Sequence, residues 1–278
     1  MLSPRDTAYP LLKPSPSERE LDEVYTPTLF ELSFAERRTR EPVPRLGLLV
    51  LLKTFQRLGY FVKLAEVPKS IIRHIVATAG YSEMPEELAR YDTGSLRFRH
   101  MSYVLSWVGV MPYDRSARRS MLQACIEASR VREDLADIIN FAIEELVRQR
   151  YELPTFPALL KAAQKARATV NRGLYTRITQ ALDESAKARL DQLFTRTEES
   201  RRSAWDLLKS EPKPPTAKEI KRFVAHLNWL REQAGDSHPL AGIPVVKVNR
   251  FAAEARALNV ARMNELIEEK RYALSGSP

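Results

Sequence analysis

The stretch LADIINFAIEELVRQRYELPTFP, residues 135–157, decides the fold. Leu135, Ile138, Ile139, Ala142, Ile143, Leu146 and Val147 fall at i, i+3, i+4, i+7, i+8, i+11 and i+12. Helical periodicity gathers such positions into one continuous apolar face. Pro154 and Pro157 then interrupt the pattern, because proline lacks the amide a helix interior needs. This break is read as the boundary between two helical units, residues 28–152 and 153–278.

Outward from this point the signals are almost all helical. Towards the N-terminus, Asp114 can cap a helix running to about Ser129, and another spans Leu96 to Val108. A short helix is expected near Pro85 to Tyr91. Pro68 suits the first turn of a helix through Ala79, which Gly80 ends with its permissive backbone. Leu46 to Leu58 is apolar on nearly every face, the mark of a buried central helix. Residues 1–27 carry Pro4, Pro10, Pro14, Pro16 and Pro27, and read as an extended arm able to pack on the body.

Towards the C-terminus a long helix is expected from Pro157 to about Leu182. Asp183 can cap a short successor carrying Leu190, Leu193 and Phe194. A proline-rich break at Glu211 to Pro215 follows. Thr216 and Glu219 have capping-box spacing. Ile220, Phe223, Val224, Leu227 and Leu230 form that helix's apolar face. IPVVKV at 243–248 is strand-like but has no partner strand, so it reads as a connector into a final helix or pair from about Asn249 to Ala273. The expected fold class is all-α: two tandem multi-helix units, helix-turn-helix-like, with a proline-rich arm. No fixed-period repeat is visible.

The chain has 278 residues, and Lys+Arg 44 against Asp+Glu 35 give a net charge of +9. A hydrophobic fraction of 44% excludes wholesale disorder. One cysteine excludes an internal disulfide or a cysteine-based zinc site and fits a reducing cytosol. The N-terminus lacks a secretory apolar region, and the longest strongly apolar run, Leu46 to Leu52, is too short to span a bilayer. A soluble, intracellular protein is therefore expected, in the cytoplasm.

Chemistry-bearing motifs are sparse. His74, His100, His226 and His238 show no metal-ligand spacing, and Cys125 reads as a small buried thiol. No glycine-rich phosphate loop or nucleophile elbow is present. Acids such as Glu265, Glu268 and Glu269 lie in mixed-charge helical faces. No catalytic residue, metal or cofactor is expected.

The positive charge is uneven. Leu153 to Leu182 contains no Asp or Glu, yet holds Lys161, Lys165, Arg167, Arg172 and Arg177. Lys161, Lys165 and Arg172 project within roughly 40° of one another, opposite Leu160, Ala163, Val170, Leu174 and Ile178. One side packs and the other offers cations suited to a phosphate backbone. A second cluster is Arg97, Arg99 and His100, then Arg115, Arg118 and Arg119, with Asp114 the only acid from Arg97 to Arg119. Short helices, a Gly80 turn and a basic last helix fit a helix-turn-helix, with Arg97, Arg99 and His100 at the groove, Arg97 and Arg99 reaching guanine edges or phosphates, and Arg115, Arg118 and Arg119 contacting nearby phosphates. Tyr103 and Trp107 read as core rather than base-stacking residues.

These residues also carry a family likeness. The chain resembles the N-terminal region of replicative transposases of the Tn-three family. The matching stretches are PRLGLLVLLKTFQRLGYF at 44–61, VPKSIIRHIVATAGY at 67–81 and LARYDTGSLRFRHMSYVLSWVGVMPY at 88–113. They continue with RQRYELPTFPALLKAAQKA at 148–166, LDQLF at 190–194, WDLLKSEPKPPTAKEIKRFVAHLNWLRE at 205–232 and IPVVKVNRFAAEARALNVARMNELIEEKRYAL at 243–274. The likeness covers roughly Pro44 to Leu274 in order.

The resemblance implies a helical region that binds the terminal inverted repeats of a transposon. Dimerisation and the metal-dependent acidic triad belong to later parts of such proteins, so no catalytic centre is expected in this chain. Two functions stand side by side at this point. One is double-stranded DNA binding at transposon ends. The other is a helical protein-interaction module regulating a full-length transposase. No membrane partner is expected.

Overall fold

A computed structural model describes residues 2–82, 86–195, 203–209, 214, 216–234 and 240–276. The fold is all-α. Among the described residues no strand forms, and Met111 and Tyr151 make an isolated bridge. Among these residues, too, no helix is long and apolar enough to cross a membrane. Two compact units emerge: Met1–Ala128 with Asp134–Gln164, and Ser129–Glu133 with Lys165–Pro278.

The first unit opens with a 3-10 turn at Pro4–Asp6, followed by the helical turn α1 (Glu18–Glu20), which runs into a π turn at Leu21–Tyr25. It continues with α2 (Leu29–Arg38), α3 (Pro42–Leu58), α4 (Lys69–Thr78), α5 (Ser95–Val108), α6 (Arg115–Val131, up to Ala128 in this unit) and α7 (Leu135–Arg148). The helix α8 (Phe156–Ala181) contributes its residues up to Gln164 to this unit and those from Lys165 to the second.

The centre is α3. Residues Leu46 to Phe55 are all buried, as is Leu58. Proline at its start and Gly59 at its end, with φ 73°, fit the ends they occupy, since a left-handed backbone strains any residue with a Cβ. Around α3 pack Phe34 and Ala35 of α2, Ile71 and Ile75 of α4, and Val104 of α5.

Polar groups tie α2 to this core. Thr28 and Glu31 form a capping box at the start of α2. The Glu31 carboxylate also accepts from the Gln56 amide at 2.6 Å and pairs with buried Lys53 at 3.3 Å. Burial alone would raise the Glu31 pKa. The Thr28 amide, Gln56 and Lys53 overcome that and hold it below the usual range.

The arm is less extended than its prolines suggest. Past Pro16, Ser17 accepts a hydrogen bond from the Glu20 amide and starts α1, and Tyr25 is fully buried. Upstream, Tyr9 stacks on Tyr60 with ring centroids 5.0 Å apart and meets the edge of Phe156. Its hydroxyl donates to the Pro154 carbonyl at 2.9 Å, and Tyr60 donates to the Pro10 carbonyl. The Pro154–Pro157 segment is thus held by the first unit, and Leu153 donates to the Gly59 carbonyl.

The second unit holds the rest of α8, then α9 (Glu184–Gln192), α10 (Ala204–Leu208), α11 (Ala217–Ala234), α12 (Val245–Ala257), α13 (Val260–Asn264) and α14 (Glu268–Ser275). Asp183 caps α9 as expected. Ile178, Trp205, Phe251, Met263 and Leu274 form the core, and the Trp205 indole donates to the Leu258 carbonyl at 3.0 Å.

Two expectations change here. The strand-like IPVVKV run is the start of α12: Pro244 occupies the cap, Val245 and Val246 are exposed, and Lys247 turns inward. The Lys247 ammonium is 0% exposed and donates to the Arg132 carbonyl and Asn171 Oδ1, each at 3.0 Å, and to the Glu133 carboxylate. Burial pulls its pKa down and Glu133 opposes that shift. On α11 the expected apolar face forms, but Ile220, Phe223, Val224 and Leu227 are between 39% and 54% exposed rather than packed. The Leu230 side chain lies outside the described residues.

One close approach organises the first unit. The Tyr91 ring lies where a Cβ on Gly47 would be, so α3 can carry only glycine there. Tyr91 in turn shares a hydrogen bond with His100 Nδ1. His100 is 1% exposed. Burial, with a smaller push from Arg99, lowers its pKa from 6.5 to about 4.

Gly47→Ala is expected to cost about 1–3 kcal/mol of stability by overpacking. An unchanged urea midpoint would contradict this contact. His100 gives a second prediction. Its pKa is lower folded than unfolded, so its contribution is complete above about pH 6.5 and fades as pH falls towards about 4. Wild type should lose up to about 3 kcal/mol across that window in excess of His100→Gln. Parallel stability–pH profiles for the two proteins would refute it.

Candidate nucleic-acid interface

In the first unit, α4 ends at Gly80, whose φ of 85° lets the chain turn sharply. A 3-10 segment, Glu86–Thr93, then leads into α5. The packing of α5 sorts the basic cluster by direction. Val104 and His100 face the core. Ser95, Phe98, Arg99, Ser102 and Ser106 are exposed and share an arc of roughly 100° on the opposite side.

Arg97 lies on the inner side. Its guanidinium faces Asp92 at 3.1 Å, donates to the Val62 carbonyl at 3.0 Å and approaches the Met101 sulfur. The expectation that Arg97 and His100 line a groove is therefore corrected. Arg97 holds the α5 entry to the segment before α4, and His100 packs on Tyr91. Neither is presented to a ligand. Arg99 is exposed as expected.

Tyr103 packs against the core as the sequence suggests, whereas Trp107, expected in the core, is 39% exposed. Arg38 lies 4.7 Å over the Tyr103 ring, and Trp107 stacks on Phe34 with centroids 4.4 Å apart. Asp114 caps α6 through the Ser116 and Ala117 amides. Arg115, Arg118 and Arg119, on its first turns, are all exposed. Cys125, further along α6, is fully buried, and burial pushes its thiol up to about 12, which keeps it protonated.

On α8 the inward residues include Leu159, Ala162, Ala163, Ala166 and Ile178. Lys161, Lys165 and Arg172 are exposed and form no ion pair with the described residues. Arg167 differs: its guanidinium donates to the Glu133 carbonyl at 2.9 Å. Arg177 donates to the Ala241 carbonyl at 3.1 Å while remaining exposed.

The structure adds candidates that the two clusters miss. Lys69 and Arg73, one turn apart on α4, are both exposed. Their i, i+4 spacing was the available signal, but isolated basic pairs do not stand out in a chain of this charge. Among the described residues no group of three or more His, Cys, Asp or Glu is arranged to hold a metal ion.

The chain is similar to transposases over most of its length. It is 25% identical over 263 residues to the transposase for transposon Tn21 of Escherichia coli, covering 92% of this chain and 26% of that protein. It is 22% identical to the transposase for transposon Tn1546 of Enterococcus faecium, covering 88% of this chain and 25% of the relative. For the transposase for transposon Tn501 of Pseudomonas aeruginosa the identity is 23%, covering 88% of this chain and 24% of the relative. The chain thus spans about a quarter of the length of these relatives. Residues 3–166, more than half of the chain, match the family described as a domain of unknown function, DUF4158, and the chain belongs to that family.

Proposed function

We propose that this chain binds double-stranded DNA, and that its ligand is the terminal inverted repeat of a transposon. The observation that carries this reading is the exposed side of α8. Lys161, Lys165 and Arg172 stand there on a stretch free of carboxylates from Leu153 to Leu182. Cations without acidic neighbours neutralise phosphates and release counterions on binding. The likeness to transposases supplies the biological setting.

In the first unit, the turn at Gly80 and the outward arc of α5 suit a helix-turn-helix. Arg99 would then read a guanine edge or hold a phosphate, and Ser95, Ser102 and Ser106 are small enough for the helix to enter a major groove. Arg115, Arg118 and Arg119 of α6 would contact phosphates. The two units would bind in tandem, each raising the effective concentration of the other. On this reading the chain positions DNA, and strand cutting and joining belong to other parts of such transposases.

A second reading rests on α11. Its exposed Ile220, Phe223, Val224 and Leu227 favour a contact with another protein, such as a full-length transposase.

Affinity measured against salt concentration tests the DNA reading, using a labelled duplex selected from a random pool by the wild-type chain. The slope of log K against log salt should shrink by about 0.9 for each phosphate contact removed, so by about 2.7 for Lys161, Lys165 and Arg172 all changed to Ala. Failure to select any duplex, or an unchanged slope in the triple variant, would sink the reading. Arg97→Ala should act differently, lowering thermal stability without changing that slope.

A further inference from the structure

A single exposed apolar side chain needs no explanation by itself. The setting of Phe98 on α5 is what distinguishes it. Leu96, Met101, Tyr103, Leu105 and Val108 of the same helix pack on the core around Val104, and Trp107 stacks on Phe34. Phe98 is 68% exposed and lies outside that core. Every other large apolar side chain of α5 thus has a partner within the unit, while this ring stands in solvent.

Its neighbours leave the ring clear. Ser95 and Ser102, at i−3 and i+4, flank it along its own row, and both are small. The Ser102 hydroxyl donates to the Phe98 carbonyl at 3.3 Å, which turns its polar end back onto the helix. Phe98 and Arg99 stand at the two edges of the exposed arc, with the serines between them. Arg38, itself exposed, lies over Tyr103, one turn on from Arg99. Asp114 is the only acid from Arg97 to Arg119. The charge around the ring therefore complements a polyanion.

We propose that Phe98 reads the 5-methyl group of a thymine in the major groove, beside the base edge or phosphate that Arg99 holds. The inference rests on the DNA-binding reading above and adds to it a base that α5 recognises. The major groove presents hydrogen-bond donors and acceptors at every base pair but only one apolar group, the thymine methyl. An apolar ring on a helix that enters the groove has that one partner. Phe98 is the fourth residue of α5, in the N-terminal part that meets base edges in helix-turn-helix binding. Covering the methyl takes apolar surface of both groups out of water.

Deoxyuridine keeps the pairing of thymine and lacks only its 5-methyl group, so it isolates this contact. Each thymine of the selected duplex is replaced by deoxyuridine in turn. Wild-type affinity should fall by about fourfold at a particular thymine, the worth of one buried methyl. Phe98→Ala should keep the wild-type thermal midpoint, bind the thymine duplex more weakly and no longer distinguish thymine from deoxyuridine there. Phe98→Leu, which stays apolar, should retain the distinction. Wild-type affinity unmoved by deoxyuridine at every thymine, or a loss that persists in Phe98→Ala, would overturn the inference. With the Lys161, Lys165 and Arg172 triple variant still weakened, the DNA reading would then stand and the ring would be left to a protein contact. Failure of the wild-type chain to select any duplex would overturn both.

Discussion

The burial of α3 from Leu46 to Phe55 is the constraint on which the first unit depends. A helix apolar on nearly every side has to be covered all round, so α2, α4, α5 and the 3-10 segment before α5 each turn an inner face towards it. The close pass of Tyr91 over Gly47 then sets the depth of that 3-10 segment. Tyr91 bonds His100, which fixes the rotation of α5 about its own axis. Once that rotation is set, Val104 and His100 are inside and Arg99 is outside. The direction of a candidate DNA contact thus follows from a steric contact in the core.

In the second unit a buried cation plays a comparable part. Lys247 joins the start of α12 to Asn171 of α8 and to the 129–133 segment through Arg132 and Glu133. Desolvation offsets much of the attraction in such a pair, whereas removing one partner leaves a buried charge unpaired and is costly. Arg167 joins the same segment through the Glu133 carbonyl. Two basic residues thus serve the fold here, while Lys165 and Arg172 on α8 stay exposed without an ion-pair partner among the described residues.

Helices were legible wherever apolar spacing was regular, as at α7, or where a run was apolar throughout, as at α3. Asp183 and Asp114 were legible as caps because a short acid before a helical run has one common use. The candidate site was legible in part. The acid-free run of α8 showed in composition, and its exposed cations match the helical projection. Arg97, Arg99 and His100 were grouped because they are adjacent in sequence. Yet Arg97 and Arg99 stand roughly 200° apart on a helix, so they cannot share a face. Lys247 was hidden inside a run whose β-branched neighbours suggested a strand. The apolar stripe of α11 was legible as a stripe, but periodicity does not say what covers it.

The most direct test of the account is a hydroxyl-radical footprint of the chain on a duplex selected from a random pool, taken at physiological ionic strength. Binding by a shaped, basic, helical surface predicts a bounded protected segment. It also predicts loss of protection over part of that segment when Lys161, Lys165 and Arg172 are changed to Ala. Uniform protection along the duplex, or none at protein concentrations that saturate a mobility shift, would contradict it.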